Sequence, residues 1–102
     1  MDLGIYILVI IMKVEIKERA VARLNELGVK ENKDKALRIR LLNYSWRGAV
    51  YGVTLDKLND NDIVIEVDGF RVCVNKNMDY IEKFTIDYSV NPLAKGFQVY
   101  VD

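Results

Sequence analysis

The chain has 102 residues, enough for one domain, and its 51% apolar and 29% charged residues indicate neither a disordered nor a fibrous protein. Its fifteen basic and fifteen acidic residues cancel, so no overall field attracts nucleic acid or an anionic membrane. The chain contains one cysteine, Cys73, and no histidine. Within one chain this excludes a disulfide and a metal site made of thiolates or imidazoles, and it excludes a nucleophile activated by histidine. The single cysteine also favours a cytoplasmic location.

The first element is an apolar run of ten residues, Leu3 to Met12, about half the length of the roughly 20 residues that a membrane-spanning helix needs. Asp2 precedes the run, which lacks the positive start and small-residue cleavage site of a secretory signal. The run is either an extra β-branched strand or an extension upstream of a natural start at Met12, and we favour the extension. We therefore expect an apolar extension at residues 1–11 and a single domain at residues 12–102.

Two short patterns follow Met12. Val14 and Ile16 alternate with charged residues, as in a short edge strand. From Lys17 to Leu27 the apolar residues take helical spacing, and Gly28 is typical of the position just past a helix end. These patterns predict an edge strand followed by a helix.

The next segments predict a β-hairpin. The stretch from residue 37 to residue 42 alternates leucine or isoleucine with arginine, which is the period of a half-buried strand. We expect Leu37, Ile39 and Leu41 to face inward and Arg38 and Arg40 to face outward. The sequence NYSWRG at residues 43–48 interrupts the alternation, which resumes from Val50 to Leu55, so the hairpin tip is expected at NYSWRG.

A second hairpin has the strongest short-range signal in the chain. The dipeptide Asp68-Gly69 separates two strand-like segments, Ile63 to Val67 and Phe70 to Val74. Asp-Gly pairs favour the two-residue turns that match the twist of paired strands. The segments therefore predict two antiparallel strands joined by a tight turn.

The last third of the chain predicts a short helix and two strands. Asn75 or Asn77 would cap a helix over Met78 to Phe84. Thr85 to Val90 and Phe97 to Val101 have strand-like composition on either side of an Asn-Pro break. The predicted fold class is mainly β (α+β), a compact and mostly antiparallel arrangement with an N-terminal helix and a second short helix.

No residue pattern predicts catalysis. Four carboxylates lie close in sequence: Asp60, Asp62, Glu66 and Asp68. Two of them lie in a turn and one lies beside a hairpin turn, where aspartate serves the backbone, so we favour solvated carboxylates over a metal site or an acid–base pair. Cys73 is interpreted as a small strand residue, because its same-face neighbour Arg71 would lie about 7 Å away along the strand. We predict no catalytic residue, no metal ligand, no cofactor and no enzymatic activity.

The predicted hairpin tip is the best candidate for contact with a partner. It contains the single tryptophan, Trp46, beside Arg47 and Tyr44, and aromatic residues with arginine are typical of interface anchors. The alternative, which we favour on frequency alone, is a tryptophan ring folded back on its own sheet. A cationic face of Arg38 and Arg40 for nucleic acid is not supported, because the chain has no net charge and no interleaved aromatic platform.

The order of these motifs resembles the HesB-like family of A-type iron-sulfur cluster carriers over residues 12–102. The matching pieces are VEIKERAVARLNEL, LRIRL, Gly48 with YGVTLD, DGFRVCV, TIDY and the closing Gly96-Phe97. The resemblance implies a HesB-like β-sandwich, dimers or higher oligomers, and iron or cluster binding through three cysteines. In the family, one cysteine precedes the glycine of the hairpin and two form a Cys-Gly-Cys near the C terminus.

This sequence departs from the family pattern at those cysteines. Aligning Gly48 and Tyr51 with the family places Trp46 where the first cysteine would be, and the sequence given stops at Asp102, before the Cys-Gly-Cys segment. Cys73 matches none of the three positions. We therefore expect a degenerate member that lacks all three ligands.

The resulting functional prediction is a non-enzymatic protein related to iron-sulfur cluster assembly that does not itself ligate a cluster. It would act by contacting a protein partner or by self-association, with neither nucleic acid nor a membrane as a partner. The alternative is atypical iron or cluster binding by an oligomer that uses Cys73 or carboxylates.

Overall fold

The computed structural model describes residues 12–102, so the extension predicted at residues 1–11 lies outside the described residues. The described chain contains seven strands and one α-helix. In chain order they are β1 Lys13–Ile16, α1 Glu18–Glu26, β2 Lys35–Ser45, β3 Gly48–Lys57, β4 Asp62–Val67, β5 Phe70–Asn75, β6 Lys83–Ser89 and β7 Gly96–Val101. No helix within residues 12–102 is long and apolar enough to cross a membrane.

The strands form one mixed sheet in the order β1-β6-β7-β3-β2-β5-β4. β1 pairs parallel with β6 and β2 pairs parallel with β5, whereas the other ladders are antiparallel. The two edge strands, β1 and β4, approach each other, so the sheet curves almost into a barrel. The predicted mainly β, α+β class is confirmed. The sandwich arrangement is not, because the described strands belong to a single sheet.

The core lies inside this curved sheet and beneath α1. Ala20 and Leu24 of α1 are buried against core-facing side chains that the strands contribute: Ile16, Leu37, Ile39, Phe70, Val72, Val74, Phe84 and Ile86. Gly28 follows the C-cap residue Leu27 of α1, and its φ of +69° is the left-handed conformation that favours glycine. The predicted edge strand and helix are both present.

The second predicted hairpin is confirmed, but the second predicted helix is wrong. Asp68 and Gly69 form the turn between β4 and β5, with φ of 53° and 81°. The Asn75 side chain accepts a hydrogen bond from the Asn77 N–H, yet it caps only a 3₁₀ turn, Lys76–Met78. Met78 and Ile81 are buried, as expected for i, i+3 spacing, but one turn suffices to place both of them. Phe84 belongs to β6.

The hairpin of β2 and β3 is longer than the sequence indicated. Both strands continue to Ser45 and Gly48, so the turn contains only Trp46 and Arg47. A register shift between Leu41 and Asn43 marks a β-bulge at the intervening residue. Beyond this point the hairpin projects past the core, and its end, residues 41–50, is called the hairpin arm below.

Candidate functional site

Trp46 lies at the extreme end of the hairpin arm. The residue is 90% exposed, and its ring contacts Arg47, whose guanidinium carbon lies 5.0 Å from the ring centroid, within cation–π range. Tyr44, one residue before the closing pair of the hairpin, is 77% exposed. The interpretation that the tryptophan ring folds back on its own sheet is therefore wrong, because a two-residue turn holds the ring beyond the last strand pair.

The hairpin arm exposes apolar side chains on both faces. Leu41 was expected to face inward, but it is 51% exposed because the arm extends past the core. Tyr44 lies on the same face of the hairpin as Leu41, as the cross-strand pairs show. On the other face the bulge residue Leu42 lies over Gly52, where an added Cβ would come within 2.6 Å of the leucine Cδ1. The sequence contained one signal of this arrangement, since two consecutive leucines break the alternation of β2.

A cleft of about 540 Å³ opens at the base of the hairpin arm, between β2 and the segment that follows β5. Its apolar lining comes from Ile39, Leu41, Tyr51, Met78 and Tyr80, and its polar lining comes from Arg38, Arg40, Asp56, Asn59, Asn75 and Asn77. Burial, together with the neighbouring Tyr80 hydroxyl, raises the pKa of Tyr51. The phenol of Tyr51 is therefore neutral at neutral pH, and it lies among amide, arginine and Asp56 side chains.

Arg38 is buried, which corrects the expectation that it faces solvent. It donates hydrogen bonds to both carboxylate oxygens of Asp62, at 2.6 and 2.7 Å, and to Asp56 at 2.8 Å. Arg40 joins this network by donating to Asp56 at 2.8 Å and to the Thr54 hydroxyl at 3.0 Å. The predicted outward face of β2 is thus a polar ion-pair network, and the isolated Arg38–Arg40 cationic face does not exist.

The ion pairs shift the acidity of their members. Hydrogen bonds from Arg38 hold the pKa of Asp62 below its ordinary value, and the same contact raises the pKa of Arg38. The Lys57 backbone N–H, followed by Arg38, lowers the pKa of Asp56. These groups are charged at neutral pH and committed to one another, so none of them is free to act as a general base.

The four carboxylates that were expected to be solvated differ in exposure. Asp60, Glu66 and Asp68 are exposed, whereas the Asp62 side chain has no accessible surface, so the solvated interpretation is wrong for Asp62 alone. Its partner Arg38 lies in a strand 24 residues earlier, which no local pattern reveals. Within residues 12–102, no three side chains of histidine, cysteine, aspartate or glutamate lie close enough to hold a metal ion.

Cys73 lies in β5 directly opposite Arg38 of β2 and is fully buried. Desolvation raises the pKa of its thiol, so the thiolate that binds iron is disfavoured. The Cys73 side chain has no solvent-accessible surface. This single buried thiol does not fit the three-cysteine ligand set that the family resemblance implies.

The sequence is similar to several known proteins, although no family model matches it. It is 31% identical over 90 residues to the uncharacterised protein ycf83 of Galdieria sulphuraria, covering 83% of this chain and 80% of that protein. Identity to the iron-sulfur cluster insertion protein ErpA of Mannheimia succiniciproducens is 36% over 72 residues, which covers 69% of this chain and 64% of ErpA. Identity to the iron-binding protein IscA of Yersinia enterocolitica is 28% over 89 residues, which covers 85% of this chain and 83% of IscA.

Solved structures show the same fold. Escherichia coli SufA, a protein involved in biosynthesis of iron-sulfur clusters, superposes with a TM-score of 0.59 at 19% identity, covering 87% of this chain and 85% of SufA. The crystal structure of IscA with a [2Fe-2S] cluster superposes with a TM-score of 0.63 at 17% identity, covering 86% of this chain and 81% of IscA. At these identities the superpositions establish the fold alone.

Proposed function

This chain belongs to the HesB-like family of A-type iron-sulfur cluster carriers, and from that premise we propose that it serves cluster assembly by contacting a protein through its hairpin arm. The contact is with another protein or with a second copy of the chain. In this proposal the chain is not an enzyme, does not ligate a cluster itself and works in the cytoplasm. Tyr44, Trp46 and Arg47 form the contact.

The exposure of Trp46 carries the proposal. A tryptophan that is 90% exposed leaves a large apolar surface in water, at a cost that burial in an interface would remove. Tryptophan, tyrosine and arginine are the residues most often found to dominate binding energy at protein interfaces. All three types lie within four positions at the end of a projecting hairpin, where a partner can reach them.

The absence of a ligand role follows from two positions. Trp46 stands where the family resemblance places the first cysteine, and an indole offers no lone pair to iron. Cys73 is buried beside Arg38 with its pKa raised, so it does not replace the missing thiolate. The family relationship to cluster assembly is thus retained, while the chemistry of the ligand site is lost.

Anaerobic reconstitution with iron and sulfide tests the ligand claim. Wild-type protein and Cys73→Ala are expected to bind no stoichiometric cluster, and their absorption spectra should be identical. Thiolate-to-iron charge-transfer absorption in the wild type that disappears in Cys73→Ala would show ligation by Cys73. Stoichiometric iron retained by both proteins would show ligation by carboxylates, and either result overturns the proposal.

Affinity capture and sedimentation test the contact claim. Trp46→Ala should lose bound partners or shift the oligomeric state, with a loss of affinity of about 30-fold, corresponding to about 2 kcal/mol for a dominant interface residue. Leu93→Ala is the matched control, because Leu93 is 95% exposed but lies far along the chain from the hairpin arm. Identical partners and identical oligomeric states for the wild type and Trp46→Ala contradict the proposal.

A further inference from the structure

We propose that the open edge of β2 binds an extended segment of the partner protein by β-strand addition, and that this segment alternates apolar with acidic side chains. The inference rests on the proposed function, because it specifies how the partner of the hairpin arm is held. It adds a second recognition element, the cleft at the base of the arm.

Among residues 12–102, no strand covers the edge of β2 along most of its length. β3 pairs with β2 from Lys35 to Ser45, but on the opposite side β5 pairs only with Leu37 and Arg38. In the part of the chain that the structure describes, no other backbone segment bonds to residues 39–45 on that side. Seven residues at about 3.3 Å each leave an edge of roughly 23 Å, long enough for a typical strand.

The pairing with β3 leaves part of the β2 backbone unpaired. In an antiparallel ladder, alternate residues turn their N–H and C=O away from the neighbouring strand, so about half of residues 39–45 present these groups to the open side. Such groups are available to an added strand and are the source of affinity in β-strand addition.

The cleft supplies two chemically different walls for such a strand. Leu41, Tyr51, Met78 and Tyr80 are apolar or aromatic, whereas Arg40 and three asparagines are polar. Successive side chains of a strand point to opposite faces, so one set would meet the apolar wall and the other set the polar wall. The apolar residues of the partner segment therefore alternate with polar ones.

The charge of the edge selects acidic residues for the polar set. Residues 39–50 contain Arg40 and Arg47 and no acidic residue. Asp56, the acidic residue that lines the cleft, already accepts hydrogen bonds from Arg38, Arg40 and the Lys57 N–H. Arg40 is already paired with Asp56, so the charge that a carboxylate on the added strand would complement is that of Arg47, whose guanidinium lies over the Trp46 ring. A lysine at that position would meet like charge.

Fluorescence anisotropy with a labelled seven-residue peptide of alternating glutamate and valine tests the inference on the full chain. Three matched peptides serve as controls: one with lysine for glutamate, one with the same composition in two blocks, and one with alternate backbone nitrogens methylated. The alternating acidic peptide should bind, and each control should bind at least about tenfold more weakly. Equal binding of the methylated peptide would overturn backbone pairing, and equal binding of the lysine peptide would overturn acidic selectivity.

Variants of the chain locate the binding. Leu41→Glu should weaken peptide binding about tenfold or more by placing a charge in the apolar wall, whereas Leu93→Glu should leave it unchanged. Circular dichroism confirms that both variants fold. If the peptide does not bind and Leu41→Glu converts an oligomer into a monomer, a second copy occupies the edge and the inference is overturned.

The two proposals fail in distinguishable ways. If the peptide does not bind but capture of a partner still depends on Trp46, strand addition is overturned and the proposed function stands. Binding of the alternating peptide by a chain that also ligates a cluster removes the proposed function and leaves the strand site intact.

Discussion

Arg38 and Asp62 form a bidentate ion pair that is sealed from solvent. The two guanidinium nitrogens of Arg38 donate to the two carboxylate oxygens of Asp62, and the side chains are 8% and 0% exposed. The pair ties the middle of β2 to the start of β4, although β5 lies between these strands in the sheet. Cys73 lies in the intervening strand, opposite Arg38 of β2 and Val64 of β4.

Removing the arginine should destabilise the protein strongly. Arg38→Met leaves the Asp62 carboxylate buried without its charge partner, which costs about 3–5 kcal/mol of unfolding free energy. Urea denaturation followed by circular dichroism measures the change. The double variant Arg38→Met/Asp62→Leu should recover most of the loss, because it removes the unpaired charge. A double variant no more stable than Arg38→Met would show that packing, not charge, dominates the site.

The same pair should make stability depend on acid. The pKa of Asp62 lies below its ordinary value of 3.8 in the folded state, so the unfolded chain takes up the proton first as the pH falls. Its contribution is complete above the unfolded pKa and is lost as the pH falls through the folded pKa. The stabilities of wild type and Asp62→Asn in urea should differ most near neutral pH, and the difference should shrink as the pH falls below 3.8. A difference that stays constant with pH would contradict this linkage.

The thiol of Cys73 should be protected in the folded protein. Iodoacetamide should alkylate it at least about a hundredfold more slowly in buffer than in concentrated urea, because reaction requires the sheet to open. Mass spectrometry of timed samples measures the two rates. Arg38→Met is an informative comparison, since the less stable sheet of this variant should open more often and speed alkylation. Equal rates in the native and unfolded wild type would mean that the cysteine is accessible after all.

Substitutions in the turn between β4 and β5 should have very different effects on the free energy of unfolding. Gly69 has a φ of 81°, so Gly69→Ala should lower the unfolding free energy by about 1–2 kcal/mol. An added Cβ would also meet the Lys30 Cε at 3.1 Å and push that side chain from its position over the Phe70 ring. Asp68→Asn at the neighbouring position is the control and should be neutral or stabilising, because asparagine suits the same turn. Thermal denaturation ranks the three proteins.

The sequence by itself determined the local elements and the family. Alternation, helical spacing and turn residues act between neighbours in the chain, so they located the edge strand, the helix at Lys17 to Leu27, the Asp68-Gly69 hairpin and the last two strands. The same local logic failed after Asn75, where a single capped turn and a full helix share the i, i+3 spacing of Met78 and Ile81.

Only the tertiary structure decided which side chains of β2 are buried and which are exposed. Arg38 is buried because its partners Asp56 and Asp62, 18 and 24 residues further along, converge on it when the sheet forms. Leu41 and Trp46 are exposed because the hairpin extends past the core. The alternation of residue types specifies which face of a strand a side chain lies on, but it does not specify whether another element packs against that face. Burial is a property of neighbours distant in sequence, and for this chain it determined both the ion-pair network and the surface assigned to the partner.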